Sequence, residues 1–422
     1  MVDRSDRRRD SSDPDVPADA RVTNRAAACA ALVYTFTVVM LGTTIPTPMY
    51  ALYSEELGFS ILTSTIVFAT YAGGVLVALI AFGRWSDSLG RRPMLLLGVT
   101  FAAASAVVFV TAGPVWQLLV GRFLSGLSAG IFAGTATAAV IEMAPDSWKD
   151  RASSIATAAN IGGLGLGPLV AGVLVQFLPY PLHLSFVVHL VLLAIGAVAV
   201  FMVPETVDVQ QGARPALQRL SVPAETRPLF VRAAIAAVAG FAVLGLCTAV
   251  VPGFLSSIIG ISSHFVAGLV VFLVFAASAV AQIAARRLDT NAALVSGCAA
   301  LVVGMLLIML ALSTSSLVAL VAGGIIAGIG QGLGFGTGLA AVAGATPPER
   351  KAEVTSTFFV VAYVAISVPV IGEGVAARSW GLQTAGIVFA AAVAVLAAVA
   401  LVASAVEARR SSAAPENSEA AR

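Results

Sequence analysis

Residues 83–93 read GRWSDSLGRRP, and they lie between two long apolar runs of the chain. This short stretch carries one acid, Asp87, and the three arginines Arg84, Arg91 and Arg92. Charged side chains are costly to place inside a lipid bilayer, so such a loop stays on one side while the flanking apolar runs cross the membrane. The stretch therefore predicts two membrane-spanning helices joined by a charged loop.

The composition of the whole chain also indicates a membrane protein. Of 422 residues, 59% are hydrophobic and 11% are charged, and the mean hydropathy is +0.95. A soluble domain has roughly 45–50% apolar and about 25% charged residues. The net charge of +2 comes with no basic stripe, so nucleic acid is not an expected partner. The three cysteines lie in apolar runs, where a thiol acts as a small hydrophobe, and they have no metal-binding spacing.

Twelve apolar runs are long enough to cross a bilayer as helices, since about 20 residues suffice. Helices are expected because backbone polar groups in hydrocarbon must be paired within the segment. The sequence therefore predicts an all-α membrane protein in which the lipid bilayer is a partner. The predicted spans are 26–48, 61–83, 94–113, 115–140, 152–177, 181–203, 231–252, 262–285, 292–312, 316–341, 355–377 and 380–405.

The distribution of cations predicts the orientation of these spans. If both chain ends lie on the same side, 22 of the 24 Lys and Arg residues fall on that side. Arg378 alone falls on the other side, and Arg122 lies within a span. Cytoplasmic loops carry the excess of Lys and Arg in membrane proteins. We therefore expect a multi-pass protein of the cell membrane with both termini in the cytoplasm.

A polar stretch at 204–230 divides the spans into six and six. It predicts two six-helix units, 26–203 and 231–405, joined by a cytoplasmic linker. The polar segments 1–25 and 406–422 are predicted to be disordered cytoplasmic tails, because they contain too little apolar surface to fold.

The charged loop resembles the loop between helices 2 and 3 of the major facilitator superfamily, whose pattern is G-x-L-A-D-R-x-G-R-R. The positions that match are Gly83, Asp87, Gly90, Arg91 and Arg92. Trp85 and Ser88 depart from the usual leucine and basic residue. The resemblance implies twelve helices in two pseudo-symmetric six-helix bundles, and a secondary transporter that carries a small-molecule substrate by alternating access.

Two acids near this loop are candidates for conformational gating. Asp87 can cap the N-terminus of a helix in the opposite half, where the helix dipole is positive, or it can pair with Arg91 or Arg92. The resemblance implies that the contact with the opposite half locks the outward-facing state. Glu142 resembles an acid that joins this network, although a solvated helix end is an equally good interpretation.

Arg122 is the first candidate for proton coupling. An arginine within a span costs roughly 2.5–3.5 kcal/mol and should face the bundle interior with a partner. The stretch around it resembles the helix-4 pattern R-x-x-x-G-x-G, with Arg122 and Gly126 matching, and in proton-coupled relatives this arginine is tied to the proton relay. The alternatives are that it snorkels outward or braces helices.

Glu373 is the second candidate for proton coupling. Burial disfavours the charged form of a carboxyl group, which suits a proton carrier. Because Glu373 lies five residues before Arg378 near a span end, we expect a partly solvated ion pair between them instead. The spans of the first half carry no acid in their middle.

The fifth span contains NIGGLGLGPLVAG, which resembles the pattern G-x-x-x-G-P-x-x-G-G of the superfamily's antiporters, particularly drug–proton exchangers. The matching residues are Gly163, Gly167, Pro168 and Gly172, and Ala171 replaces a glycine. Glycines permit close helix approach, and proline removes a backbone hydrogen bond. The motif favours export over uptake, although a generic packing seam has the same composition.

Polar and aromatic residues within spans are candidates to line a substrate cavity with an apolar wall: Tyr34, Tyr71, Asn160, His189, Gln282, Gln331 and Tyr363. Together these features predict proton-coupled efflux of small lipophilic compounds such as drugs and antibiotics, with protons as the coupling ion. The alternative is transport of sugars or other neutral metabolites, including uptake. We expect a monomer without cofactor or metal, and no enzyme, because no nucleophile–base set, phosphate loop or metal cluster is present outside the spans.

Overall fold

The computed structural model describes residues 18–207 and 217–419 of the chain. Over these residues it is all-helical, and twelve helices are long and apolar enough to cross a membrane. The predicted fold class is confirmed. The spanning helices are α1 (Ala18–Thr44), α2 (Ile61–Phe82), α3 (Arg91–Val110), α4 (Val115–Met143), α5 (Lys149–Phe177), α6 (Leu184–Met202), α7 (Arg227–Ala249), α8 (His264–Ala285), α9 (Thr290–Thr314), α10 (Leu317–Gly344), α11 (Lys351–Trp380) and α12 (Leu382–Glu419).

The terminal helices extend into both segments that were predicted to be disordered tails. Helix α1 begins at Ala18 and α12 ends at Glu419, and adding residues to an existing helix costs little. The assignment of the two segments as cytoplasmic tails stays a prediction. The remaining tail residues, 1–17 and 420–422, and linker residues 208–216 lie outside the described residues.

Two prolines shape the far end of the first span. Helix α1 ends at Thr44 before Pro46, a 3₁₀ turn covers Thr47–Met49, and a short helix, Tyr50–Leu57, follows. Proline lacks the backbone N–H that a continuing helix needs. The span is therefore broken here and re-forms as a short cap over the end of the bundle.

The twelve helices form two six-helix bundles, α1–α6 and α7–α12, and every major contact in one bundle recurs in the other. In the first bundle α2 and α3 pack on α4, α1 packs on α5, and α3 packs on α6. In the second, α8 and α9 pack on α10, α7 packs on α11, and α9 packs on α12. The contacts between bundles are also paired, because α5 packs on α8 and α11 packs on α2. This repeat is the pseudo-symmetry that the resemblance implies.

Alternation of the helices gives the molecule two distinct ends. The end that carries the loop 83–90 also carries the starts of α5, α7, α9 and α11. We call it the basic face, since Arg91, Lys149, Arg286 and Arg350 lie there. The end that carries the Thr47–Met49 turn is called the opposite face. Between the bundles, a cavity of about 590 Å³ lies on the side of the basic face.

Candidate functional site

The structure brings the predicted charged residues of the basic face into one network. Arg91 lies 2.6 Å from the carboxylate of Asp87 and 3.0 Å from that of Glu142, and it donates a further hydrogen bond to Ser86 at 2.7 Å. Glu142 also accepts from the Thr206 hydroxyl at 2.6 Å. Glu142 is therefore an ion-pair partner of Arg91. Asp87 keeps 69% of its side chain exposed, and its described ion pair is with Arg91.

A residue that the sequence analysis did not single out, Glu205, completes this network. Its carboxylate accepts hydrogen bonds from the backbone N–H groups of Arg91 at 2.8 Å and Arg92 at 3.0 Å. It therefore caps the N-terminus of α3, where orphan donors and a positive dipole favour an anion. Gly90 precedes that helix with a φ of +101°, and an added Cβ would lie 2.6 Å from Glu205 Oε2. Only glycine fits both the backbone conformation and the space.

The described part of the linker beyond residue 216 joins the two bundles at the basic face. We call residues 217–221 the linker bridge. Gln218 donates its backbone N–H to the Ile80 carbonyl of α2 at 2.8 Å, and a Cβ on Gly83 would lie 3.2 Å from the Gln218 side chain. At its other end, the Ser221 hydroxyl donates to Glu353 of α11 at 2.6 Å and accepts from Arg350 at 2.9 Å. The glycine at 83 therefore leaves room for a connection between α2 and α11.

Arg122 lies inside the first bundle and is only 2% exposed. Its guanidinium donates to the backbone carbonyl of Thr43 at the end of α1. The guanidinium carbon lies 4.6 Å from the ring centroid of Tyr71 and 5.6 Å from that of Phe68. Among the described residues it has no carboxylate partner, so carbonyl and aromatic groups stabilise its charge.

A chain of aromatic rings leads from Arg122 into the second bundle. Tyr71 of α2 meets Tyr363 of α11 at 6.3 Å between centroids, edge to face. Tyr363 lies 6.1 Å from Phe241, which lies 4.8 Å from Phe335. Phe335 lines the cavity of about 590 Å³ between the bundles. Edge-to-face contacts of this kind are favourable, and here they connect a buried cation in one bundle to the cavity wall in the other.

Glu373 does not form the expected ion pair with Arg378. It lies on α11, is 3% exposed, and neither carboxylate oxygen has a hydrogen-bond partner in the described part of the chain. Five residues turn a helix by about 140° beyond one full turn, so these two side chains point to different sides of α11. The neighbouring Gly374 packs against Thr65 of α2, which places Glu373 beside the contact between the bundles.

The glycine- and proline-rich stretch of α5 packs between α1 and α8. Gly163 faces α1, where an added Cβ would lie 2.6 Å from the Thr37 carbonyl oxygen, and Gly167 faces Leu41 and Thr44 of the same helix. Gly172 faces the second bundle, where a Cβ would lie 2.6 Å from the His264 carbonyl oxygen, and Pro168 lies against Gly268. The four motif residues therefore make close backbone contacts both within the first bundle and across to the second.

The opposite face is closed where α5 meets α8. The side-chain carbonyl of Gln176 accepts from the backbone N–H of His264 at 3.0 Å and from the Ser263 hydroxyl at 3.3 Å. At the basic-face end of the same two helices, Arg286 donates a hydrogen bond of 2.7 Å to Ser153. The cavity of about 590 Å³ lies beside this end, and a smaller one of about 200 Å³ lies between the bundles at the opposite face.

The cavity at the basic face is lined by Ser153 and Thr157 of the first bundle and by thirteen residues of the second. Its lining residues are Ser153, Thr157, Gln282, Ala285, Arg286, Leu288, Thr290, Phe335, Gly336, Thr337, Leu339, Ala340, Ala341, Ala343 and Thr355. Its volume, about 590 Å³, falls in the range of roughly 300–1,000 Å³ that is typical of sites for small molecules.

Most of the predicted cavity residues do not line this cavity. Of the seven, Gln282 does, whereas Tyr71 and Tyr363 reach it only through the aromatic chain. Tyr34 instead donates to the Leu192 carbonyl at 3.1 Å, and Gln331 accepts from Ser278. A polar side chain in a spanning helix first satisfies a group on a neighbouring helix, because an unpaired polar group in apolar surroundings is costly.

The last two predicted cavity residues also lie elsewhere. His189 is buried among α1, α3, α4 and α6, with its Nε2 atom 3.1 Å from the Val38 carbonyl oxygen. Asn160 is half-buried in α5 and outside the cavity lining. Neither residue lines this cavity, and a role for them in substrate binding stays a prediction.

Comparison with known proteins gives the family. The model of the Major Facilitator Superfamily matches residues 32–368. The chain is 33% identical over 108 residues to the class E tetracycline resistance protein of Escherichia coli, a match that covers 24% of this chain and 26% of that protein. It is 31% identical over 163 residues to the class D tetracycline resistance protein of Salmonella ordonez, covering 36% and 38%.

Among solved structures, the fold is similar to that of a bacterial homologue of the human lysosomal transporter Spinster, in an inward-facing and unoccupied conformation. The TM-score is 0.72 at 15% identity, and the match covers 90% of this chain and 97% of that one. The similarity to the solved structure, the two paired bundles and the match to the family model all indicate the same fold. The chain belongs to the major facilitator superfamily.

Proposed function

We propose that this protein is a secondary active transporter that works by alternating access and exports small lipophilic compounds in exchange for protons. The observation that carries the proposal is the cavity of about 590 Å³ between the two bundles. It is lined by both bundles and lies on the side of the basic face, while α5 and α8 are in contact at the opposite face. A transporter that rocks one bundle against the other around a central site requires this arrangement.

The basic face is the cytoplasmic face in this proposal. The strong excess of Lys and Arg on that face supports it, because cytoplasmic loops retain these residues. Both termini then lie in the cytoplasm of a cell-membrane protein. With this orientation the structure corresponds to the inward-facing state, in which the cavity accepts substrate from the cytoplasm.

The network around the loop 83–93 is proposed to control closure of the cytoplasmic face. Arg91 is held by Asp87 and Glu142, and Arg92 stacks on Phe201 with its guanidinium carbon 4.3 Å from the ring centroid. Asp87 remains largely exposed, so its carboxylate can exchange Arg91 for a helix N-terminus of the other bundle when that face closes. Gly83 and Gly90 leave space for the linker residues that hold the loop.

Two buried ionisable groups support coupling to protons. Arg122 lies in the first bundle and Glu373 in the second, each next to the α2–α11 contact through Tyr71 or Gly374. A carboxyl group without any hydrogen-bond partner is able to take up a proton without breaking a contact. We propose that Glu373 carries the proton and that Arg122 holds the α1–α2 side of the interface.

Export is favoured over uptake by α5 and by the relatives. In the stretch Gly163–Gly172, Pro168 and Gly172 pack against α8 towards the opposite face, and the stretch matches the antiporter pattern. Two of the similar proteins are tetracycline resistance proteins, although the matched segments span 26% and 38% of their length. The substrate class therefore rests on the cavity of this chain.

The test is a compound-susceptibility screen in an efflux-deficient host, followed by transport into everted vesicles at two pH gradients. We expect reduced accumulation of lipophilic compounds, and substrate-dependent release of protons from preloaded vesicles. An inactive control is the Arg122→Ala variant at equal expression. Unchanged accumulation across a broad panel, together with no proton movement, would refute the proposal.

Transport of a neutral metabolite is the second candidate function. Five hydroxyl side chains line the cavity and could bind the hydroxyl groups of a sugar: Ser153, Thr157, Thr290, Thr337 and Thr355. Binding of radiolabelled hexoses and pentoses to the purified protein tests this candidate. Saturable sugar binding without any effect on drug accumulation would favour it over export.

A further inference from the structure

We propose that the central cavity selects lipophilic organic anions: compounds with a ring-based apolar body and one anionic oxygen group, such as a carboxylate or phenolate. The inference rests on the proposed function and names the substrate class that this site takes. It is carried by the charges and unpaired polar groups of the cavity wall.

One wall of the cavity is apolar and suits a ring system. Phe335 lines it and belongs to the aromatic chain that reaches Tyr71. Leu288, Leu339 and the alanines of α10 complete this wall. A flat ring can stack on Phe335 while its edges contact the aliphatic side chains, so the body of the ligand is apolar and of drug size.

The polar wall carries one positive charge and no negative charge. Arg286 is the one charged residue among the described residues that line the cavity. The nearby acid Asp289 is engaged elsewhere, because its carboxylate accepts from the backbone N–H groups of Asn291 at 3.0 Å and Ala292 at 3.3 Å, at the start of α9. Arg286 donates to Ser153, and its remaining donors are available to an anion.

Unpaired donors lie beside this charge. Thr337 lines the cavity and is 9% exposed, and its hydroxyl oxygen, which is buried just behind the surface, has no hydrogen-bond partner among the described residues. Gln282 lines the same wall, and its amide nitrogen makes only a long contact of 3.5 Å with Ser278. A buried polar group without a partner is destabilising, so a ligand oxygen that accepts from Thr337 and Gln282 satisfies both.

A cationic ligand fits this wall poorly. Desolvation of a charge is costly unless an opposite charge compensates it, and the described lining offers no carboxylate. Arg286 would repel a cation directly. Charge alone therefore separates anionic from cationic compounds of the same shape.

The test uses three naphthalene derivatives that differ in one substituent: a carboxylate, a carboxamide and a trimethylammonium group. Equilibrium binding to the purified protein and transport into everted vesicles are measured for each. We expect the carboxylate to bind roughly tenfold more tightly than the carboxamide, since a hydrogen bond to a charged group exceeds a neutral one by about this factor. The trimethylammonium compound is expected to bind most weakly.

Two variants and one control variant test which residues give the cavity its preference for the carboxylate. Arg286→Gln should remove the roughly tenfold preference for the carboxylate while the carboxamide still binds, and Arg287→Gln, a neighbouring exposed arginine outside the lining, should keep the preference. Thr337→Val should weaken binding of both oxygen-containing compounds. Retained binding of the carboxamide also shows that Arg286→Gln is folded, and an unfolding temperature equal to that of the wild type shows this for Thr337→Val.

The outcomes separate this inference from the proposed function. If the trimethylammonium compound binds and is exported at least as well as the carboxylate, export stands and anion selectivity is overturned. The same holds if Arg286→Gln leaves the carboxylate preference intact. If neither these three compounds nor any of the broader panel is transported, the proposed function fails and this inference fails with it.

Discussion

Replacing Arg122 by methionine should impair transport far more than stability. Methionine is unbranched and of similar length, so it can fill the space that the arginine leaves between α1, α2 and α4. The change removes the hydrogen bond to the Thr43 carbonyl and the contacts with the rings of Phe68 and Tyr71. It also removes a buried charge that lacks a carboxylate partner among the described residues.

The opposing contributions to stability are of similar size. A hydrogen bond from a charged donor contributes about 1.5–3 kcal/mol, and a desolvated cation–π contact about 2 kcal/mol. Against these, an arginine at this depth costs about 2.5–3.5 kcal/mol. The net loss of stability should therefore be only about 1 kcal/mol, given these values. Arg122 is better explained by function than by stability.

The effect on transport should be larger, because Arg122 connects the end of α1 to Tyr71 and so to the α2–α11 contact. Interactions of a few kcal/mol that are present in just one of two conformations shift the equilibrium between these conformations by more than tenfold. We expect proton-driven transport into everted vesicles to fall at least tenfold, with thermal unfolding in detergent nearly unchanged.

The control is Arg287→Met, which removes an exposed arginine at the basic face. It should change neither transport nor unfolding. Transport at the wild-type rate in Arg122→Met, or a severe loss of thermal stability in that variant, would contradict the reasoning.

Three further predictions follow from individual contacts. Glu373→Gln should make exchange independent of pH while downhill exchange continues, which is measured as the pH profile of exchange in proteoliposomes; a profile like that of the wild type would exclude Glu373 as the proton site. Gly163→Ala should cost about 1–3 kcal/mol in thermal stability, because its Cβ would lie 2.6 Å from a carbonyl oxygen of α1, whereas Gly162→Ala, with nothing within 4 Å, should be neutral; equal unfolding temperatures would refute this. Ser221→Ala removes the hydrogen bonds of the linker bridge to α11 and should lower thiol labelling of a Thr157→Cys reporter in the cavity severalfold; unchanged labelling would show that the bridge does not hold this state.

The fold was predictable because the bilayer allows few solutions. Apolar runs of sufficient length must be helices. The excess of Arg and Lys at both chain ends and in alternate loops places both ends on one side, which requires an even number of spanning helices. The predicted and observed spans therefore differ mainly at their ends. The largest differences are at the two ends of the chain, where α1 begins at Ala18 and α12 ends at Glu419, beyond the apolar runs.

The site was less predictable, because its geometry depends on contacts between distant residues. Glu205 caps α3 from 114 residues away along the chain, and no local sequence pattern predicts such a contact. The cavity wall consists of Thr157, Thr337 and other small residues in helices of glycine and alanine, which look like packing residues in the sequence. The conspicuous residues, such as Tyr34 and Gln331, instead hold neighbouring helices together.

The position of Glu373 links proton binding to the direction of transport. In this arrangement α5 and α8 are in contact at the opposite face, and Glu373 is buried beside the α2–α11 contact without a hydrogen-bond partner among the described residues. An ionised carboxylate here would be an uncompensated buried charge, so ionisation opposes this closed arrangement and protonation favours it. If the basic face is cytoplasmic, a proton taken up from outside therefore drives the protein toward the state that is open to the cytoplasm. Loss of that proton drives the loaded protein back, and this is the order of events that an exporter requires.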